Sequence, residues 1–134
     1  MSIRTKFFIL LIAVVLSLSG KAQTERFCIA SKGITAGIIV DENDWKGVIR
    51  AAHDLGDDVR KVTGFSSQVS LLSSDSPWMK QPKSIIVGTI GKSRIIDSII
   101  KQKKLDVRKV KGQWESYIID IVDGNLVIAG SDKR

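Results

Sequence analysis

Ser84-Ile85-Ile86-Val87-Gly88-Thr89-Ile90-Gly91-Lys92-Ser93-Arg94-Ile95-Ile96-Asp97-Ser98-Ile99-Ile100 is the stretch that decides the fold. Its first four residues are a short run rich in β-branched side chains, which reads as a buried strand. Two glycines then bracket a tight turn. Beyond it, Ile95, Ile96, Ile99 and Ile100 repeat every four residues, the spacing of one helix face. Lys101, Lys103 and Lys104 follow, suited to the negative pole of a helix dipole. A strand that turns directly into a helix is the unit of an α/β sheet.

The same alternation extends to both sides. Upstream, residues 27–31 read as a short opening strand, and Ile34 to Val40 as a stronger one ending in Asp41-Glu42-Asn43-Asp44. A helix is expected next, with Asn43 or Asp44 as its N-cap. Val48, Ala52, Leu55, Val59 and Val62 fall on one face of it, and Gly64 stands where a left-handed residue ends a helix. Gln68 to Leu72 reads as another strand, and Ser73 to Lys83 as a loop with both prolines. Downstream, a basic connector leads to Glu115–Val122 and Asn125–Ala129, joined by Asp123-Gly124, the strongest short hairpin signal. Both hairpin strands are apolar on both faces, so helices are expected to cover each side. The predicted fold is α/β, with a mixed sheet of about five strands and helices on its faces.

The N-terminus specifies a compartment. Arg4 and Lys6 precede an apolar run from Phe7 to Leu18, and Gly20 and Ala22 supply the small residues of a signal-peptide cleavage site before Gln23. The apolar run is shorter than the roughly 20 residues of a membrane span; an uncleaved anchor is the second reading. The expected organisation is a signal peptide over 1–22 and one domain over 23–134, periplasmic or secreted. Losing Arg4, Lys6 and Lys21 lowers the net charge by three, from +7 to +4. That charge is too mild to argue for nucleic acid. Cys28 is the single cysteine, so no internal disulfide forms, and it reads as a buried residue of the first strand.

Each candidate for chemistry has a plainer structural account. Gly88–Ser93 suggests a phosphate loop, but a P-loop has four residues between its first glycine and Gly-Lys-Ser, and here only Thr89-Ile90 intervene. A tight turn is expected and no nucleotide partner; a helix N-terminus meeting some other anion is the lesser reading. Asp41, Glu42 and Asp44 could serve as paired carboxylates of a glycosidase, but acids at a helix start also cap it. Asp57 and Asp58 read as solvated. His53 is the lone histidine, which excludes a histidine-cluster zinc site, and it reads as a helix-flank residue. Trp45 and Trp114 occupy ordinary packing positions, whereas Trp78, between Pro77 and Pro82, is a candidate platform for a sugar ring. Lys101, Lys103, Lys104, Arg108, Lys109 and Lys111 read as a solvated face, with an acidic polysaccharide as the alternative partner.

Four segments together carry a family resemblance: Ile39-Val40-Asp41-Glu42-Asn43-Asp44-Trp45-Lys46-Gly47-Val48, Val87–Ser93, Gly112-Gln113-Trp114-Glu115-Ser116-Tyr117, and Leu126–Arg134. Over nearly the whole chain after the leader, and in this order, they resemble the start of glycoside hydrolase family 115, the xylan α-1,2-glucuronidases. The resemblance implies an accessory α/β domain ahead of a catalytic barrel. It further implies that the full-length protein removes (4-O-methyl-)glucuronic acid from glucuronoxylan with inversion. The family's catalytic acids lie in the barrel, so no catalytic, cofactor-binding or metal-binding residue is carried over. The family continues beyond the position of Arg134 with a glycine and another helix, and the domain is therefore expected to be incomplete there, with one side of the last strand short of cover. A free-standing exported carbohydrate-binding or interaction module is the alternative function.

Overall fold

The computed structural model describes residues 26–73 and 83–133. The leader over 1–22 and its cleavage site, most of the 73–83 loop, and Trp78 lie outside the described residues. The elements are β1 (Ala30–Ser31), β2 (Ile34–Thr35), β3 (Ile38–Asp41), α1 (Lys46–Thr63), β4 (Val69–Leu72), β5 (Ile85–Thr89), α2 (Arg94–Lys101), β6 (Tyr117–Val122) and β7 (Asn125–Gly130). β1 and β2 form a small antiparallel hairpin. The other five strands form one sheet in the order β4-β3-β5-β7-β6. β4, β3, β5 and β7 are parallel, and β6 is the antiparallel edge. This is the α/β fold with a mixed five-stranded sheet.

From the middle of the sheet the chain winds both ways, β3–α1–β4 to one side and β5–α2 to β7 on the other. Crossovers of one hand in opposite directions put their helices on opposite faces. The core is accordingly split in two. Ile95, Ile96 and Ile99 of α2 pack with Ile39, Ile86, Val127 and Ala129. Ala52 of α1 packs with Ile38, Val40 and Ile85. Neighbouring residues of one strand thus serve different cores, as a period of two requires.

Several local expectations hold. Gly64 ends α1 at φ 79°, its amide donating to the Arg60 carbonyl. Asp123 and Gly124 adopt φ 51° and 76°, the positive pair of a two-residue hairpin turn, with Val122 facing Asn125.

Others are corrected. The strand expected over 34–40 breaks at Ala36-Gly37: Thr35 ties the small hairpin to the Ser66 carbonyl, while the Gly37 carbonyl accepts from Ile85 in the main sheet. Cys28 is exposed and precedes β1, because the opening hairpin lies off the main sheet. Trp45, not Asn43 or Asp44, is the N-cap of α1, and its side chain makes no cap hydrogen bond. Asp44 binds elsewhere. Val62 is 87% exposed although it continues the apolar stripe. An 18-residue helix is roughly 27 Å long, and the four-residue β3 beneath it only about 13 Å, so the last turn overhangs. Finally, helical cover does not reach the sheet edge: Tyr117 and Ile119 of β6 are 68% and 55% exposed.

Candidate functional site

In an open α/β sheet, ligands bind beyond the carboxyl ends of the strands, at the point where the winding reverses. Here that point lies between β3 and β5. The segments that leave these strands are Asp41–Trp45 and Ile90–Ser93.

Asp41 is fully buried and Asp44 nearly so. Asp41 Oδ1 accepts from the Asn43 amide at 2.9 Å, and Oδ2 from the Arg94 amide at 2.7 Å. The Arg94 guanidinium lies 3.7 Å from the same Oδ2. Asp44 Oδ1 accepts from the Trp45 amide at 2.7 Å, and Oδ2 from the Thr89 amide at 2.8 Å. Each carboxylate bridges one loop to the other. Sequence reasoning placed these acids at the start of α1 as caps; Asp41 instead supplies the anion at the N-terminus of α2, a contact across 53 residues that no local pattern reveals.

The Gly88–Ser93 turn is likewise filled from within. The Ile90 amide donates to Gly130, those of Lys92 and Ser93 to the Thr89 carbonyl, and that of Gly91 to Asp97 Oδ1. With Arg94 held by Asp41 and Ser93 Oγ accepting from Ile96, the amides of residues 90 to 94 all have protein partners. The two glycines have separate causes. Gly91 sits at φ 79°. A Cβ on Gly88 would lie 2.7 Å from Ile96 and 2.8 Å from Ser93, so this glycine lets α2 rest on the sheet.

Beside this filled crevice lies an open hollow of about 350 Å³, lined by Trp45, Thr89, Ile90, Gly91, Lys92, Ser131, Asp132 and Lys133. The Lys92 ammonium stands 5.0 Å from the centre of the Trp45 ring, within cation–π range. Trp45 is 43% exposed, contrary to the packing role read from sequence. It precedes the helix in extended conformation (φ −62°, ψ 137°), so it does not share the buried stripe of α1. Trp114 is also exposed.

The remaining candidates do not converge on the crevice. Asp57 and Asp58 pair with Arg60 and Lys61 one helical turn on, all four exposed. His53 is exposed and lines a separate polar hollow with Asp57, Arg60 and Ser67. The basic residues of 101–111 are all exposed, with Lys104 paired to Asp123 and Arg108 to Asp106. The shifted ionisable groups lie out there too. Hydrogen bonds from Arg108 hold the Asp106 carboxyl down at about 2, Asp106 raises Arg108 in return, and Asp58 raises Lys61. Among the described residues no three His, Cys, Asp or Glu side chains are grouped to hold a metal. No known protein family matches the sequence, and neither does any curated protein.

Proposed function

We propose that this chain is a non-catalytic N-terminal accessory domain of an exported glycoside hydrolase whose full length removes (4-O-methyl-)glucuronic acid from glucuronoxylan. The observation that carries the non-catalytic part is the commitment of Asp41 and Asp44. An inverting glycosidase needs two carboxyl groups facing a shared space, one to protonate the leaving oxygen and one to activate water. Here both buried acids spend both oxygens on backbone amides, one within the Asp41–Trp45 segment and the other on Arg94 or Thr89 across the crevice. Support for the parent enzyme comes from the ordered resemblance to glycoside hydrolase family 115 and from the leader-like N-terminus. The uncovered apolar strip on β6 gives such a domain a surface to lay against further polypeptide. A catalytic barrel and the polysaccharide bound by the parent are its proposed partners.

Two measurements test this reading. The chain alone should release no glucuronic acid from aldouronic acids. Release that disappears in Asp41→Asn or Asp44→Asn would overturn the non-catalytic role. Sequencing the gene past the Arg134 codon should show a frame encoding a barrel, and a stop codon there would overturn the parent enzyme.

A further inference from the structure

The hollow beside Trp45 combines three features that the fold itself does not require. The first is a tryptophan left 43% exposed in the segment that opens α1, where a smaller polar residue would serve as N-cap. Its indole offers a flat apolar wall with a polar edge, the kind of ring used where one side of a ligand is apolar and the other wet. The second is Lys92, at the tip of the β5–α2 turn, whose ammonium makes no ion pair among the described residues and lies 5.0 Å from the ring centre. The third is Thr89. It is 3% exposed, lines the hollow, and its Oγ1 is buried without a hydrogen-bond partner among the described residues. A buried hydroxyl left unpaired costs stability, and native proteins rarely leave one so without a reason.

These features define the ligand chemistry. The indole wall selects a ring with an apolar face. Lys92 and Lys133 outnumber the Asp132 carboxylate, one oxygen of which accepts from the Glu115 amide, and so favour an anionic substituent on it, and the Ser131 hydroxyl suits a ligand rich in hydroxyls. An isolated phosphate fits poorly, since the turn's amides are already taken. We infer that this hollow is a binding subsite for a uronic-acid pyranoside, stacked on Trp45 with its carboxylate at Lys92. The preference for a sugar over another flat anion rests on the carbohydrate reading above. The site itself does not, and neither does its test, which reads binding by this chain whether or not a barrel follows.

The experiment is an amide and indole NMR titration of the chain with aldotriouronic acid, with neutral xylotriose as the control. The expected result is a saturating shift of the Trp45 indole N–H and of the Gly91 and Lys92 amides with the acidic sugar, and binding about tenfold weaker for the neutral one, on the order of one lost charge-assisted contact. Lys92→Gln, on an exposed turn, should remove that difference while the rest of the spectrum stays in place. Trp45→Ala should abolish both responses, and Trp45→Phe, which keeps a ring, should retain part of them. Equal shifts for the two sugars, or shifts confined to residues away from Trp45, would overturn the proposal, as would full binding by Lys92→Gln.

Discussion

The two faces of the sheet are built from similar strands and one helix each, yet they end up differently covered. On the α2 face, Ile39, Ile86, Val127 and Ala129 are sealed under Ile95, Ile96 and Ile99. On the α1 face, Ile38, Val40 and Ile85 are equally buried, but Leu126 and Ile128 are only half-buried, and Tyr117 and Ile119 beyond them lie open. Width explains the contrast. Five strands span roughly 19 Å from first to last, while a helix is about 10 Å across, so one helix covers about half a sheet. The connector after α2 makes up the difference on its side, placing Leu105 and Val107 in the same core. Among the described residues nothing does so on the other side, where a groove of about 420 Å³ runs between Val48 and Ala51 of α1 and Tyr117 and Ile128 of the hairpin.

The comparison is broken most directly by matched truncations. Ile96→Ala on the sealed face should cost about 2–5 kcal/mol, the range for deleting a fully packed isoleucine. Ile119→Ala on the open face should stay within about 0.5–1 kcal/mol. Urea unfolding of both variants measures this. Equal losses would mean that the open face is covered in solution and that the two sides do not differ.

Next in size is the joint between the faces. Asp41 ends β3 and holds the first amide of α2, while Asp44 holds β5 to the start of α1. Asp41→Asn keeps the shape but replaces one accepting oxygen by a donor, so one amide loses its charged partner. The expected cost is about 1–3 kcal/mol, read in the same unfolding experiment. A neutral result would show that the two loops are tied by something other than these carboxylates.

Smaller still is the effect of making the open strip polar. Tyr117→Ser with Ile119→Thr removes exposed apolar surface and keeps a β-branched residue at the edge. Stability should move by no more than about 0.5–1 kcal/mol. Binding of a hydrophobic dye and self-association at high concentration should both fall. If neither falls, this strip is not the surface through which the chain associates.

What was legible in the sequence follows from the range of the interactions involved. The Ile95–Ile100 stripe, the Gly64 stop and the Asp123-Gly124 turn depend on neighbours within a few residues, and each stands where periodicity puts it. The α/β class followed from their order. The misreadings involve partners far away in the chain. Asp44 looked like a cap because Thr89, 45 residues on, cannot be seen from its surroundings. Val62 continued a stripe that outruns the strand below it. The basic connector read as a solvated face, and its charges are solvated, but Leu105 and Val107 between them are core residues. Trp45 reads as a packing residue because the sequence shows its place near a helix start and not the extended backbone that separates it from the stripe.

The smallest expected effect tests what holds that connector on the sealed face. Its side chains alternate, Leu105 and Val107 inward, Asp106 and Arg108 outward, and the outward pair is joined by a contact of 2.7 Å. The side-chain hydrogen bond from Arg108 lowers the Asp106 carboxyl from the ordinary 3.8 to about 2, helped by a bond from the Arg108 amide. A carboxyl depressed in the folded state contributes stability that is fully present above its unfolded value and is lost as pH falls through about 2. Both partners are fully solvent-exposed, so the contribution is heavily screened and should not register in the melting temperature at neutral pH. A carbon-detected NMR titration should therefore find Asp106 titrating near 2 at low salt and closer to 3.8 in Arg108→Ala or at high ionic strength. The variant should melt with the parent chain at pH 7, because Leu105 and Val107 keep the connector in place. A clear drop in its melting temperature would instead make the ion pair the fastening, and the contrast between the two faces would rest on charge rather than on apolar cover.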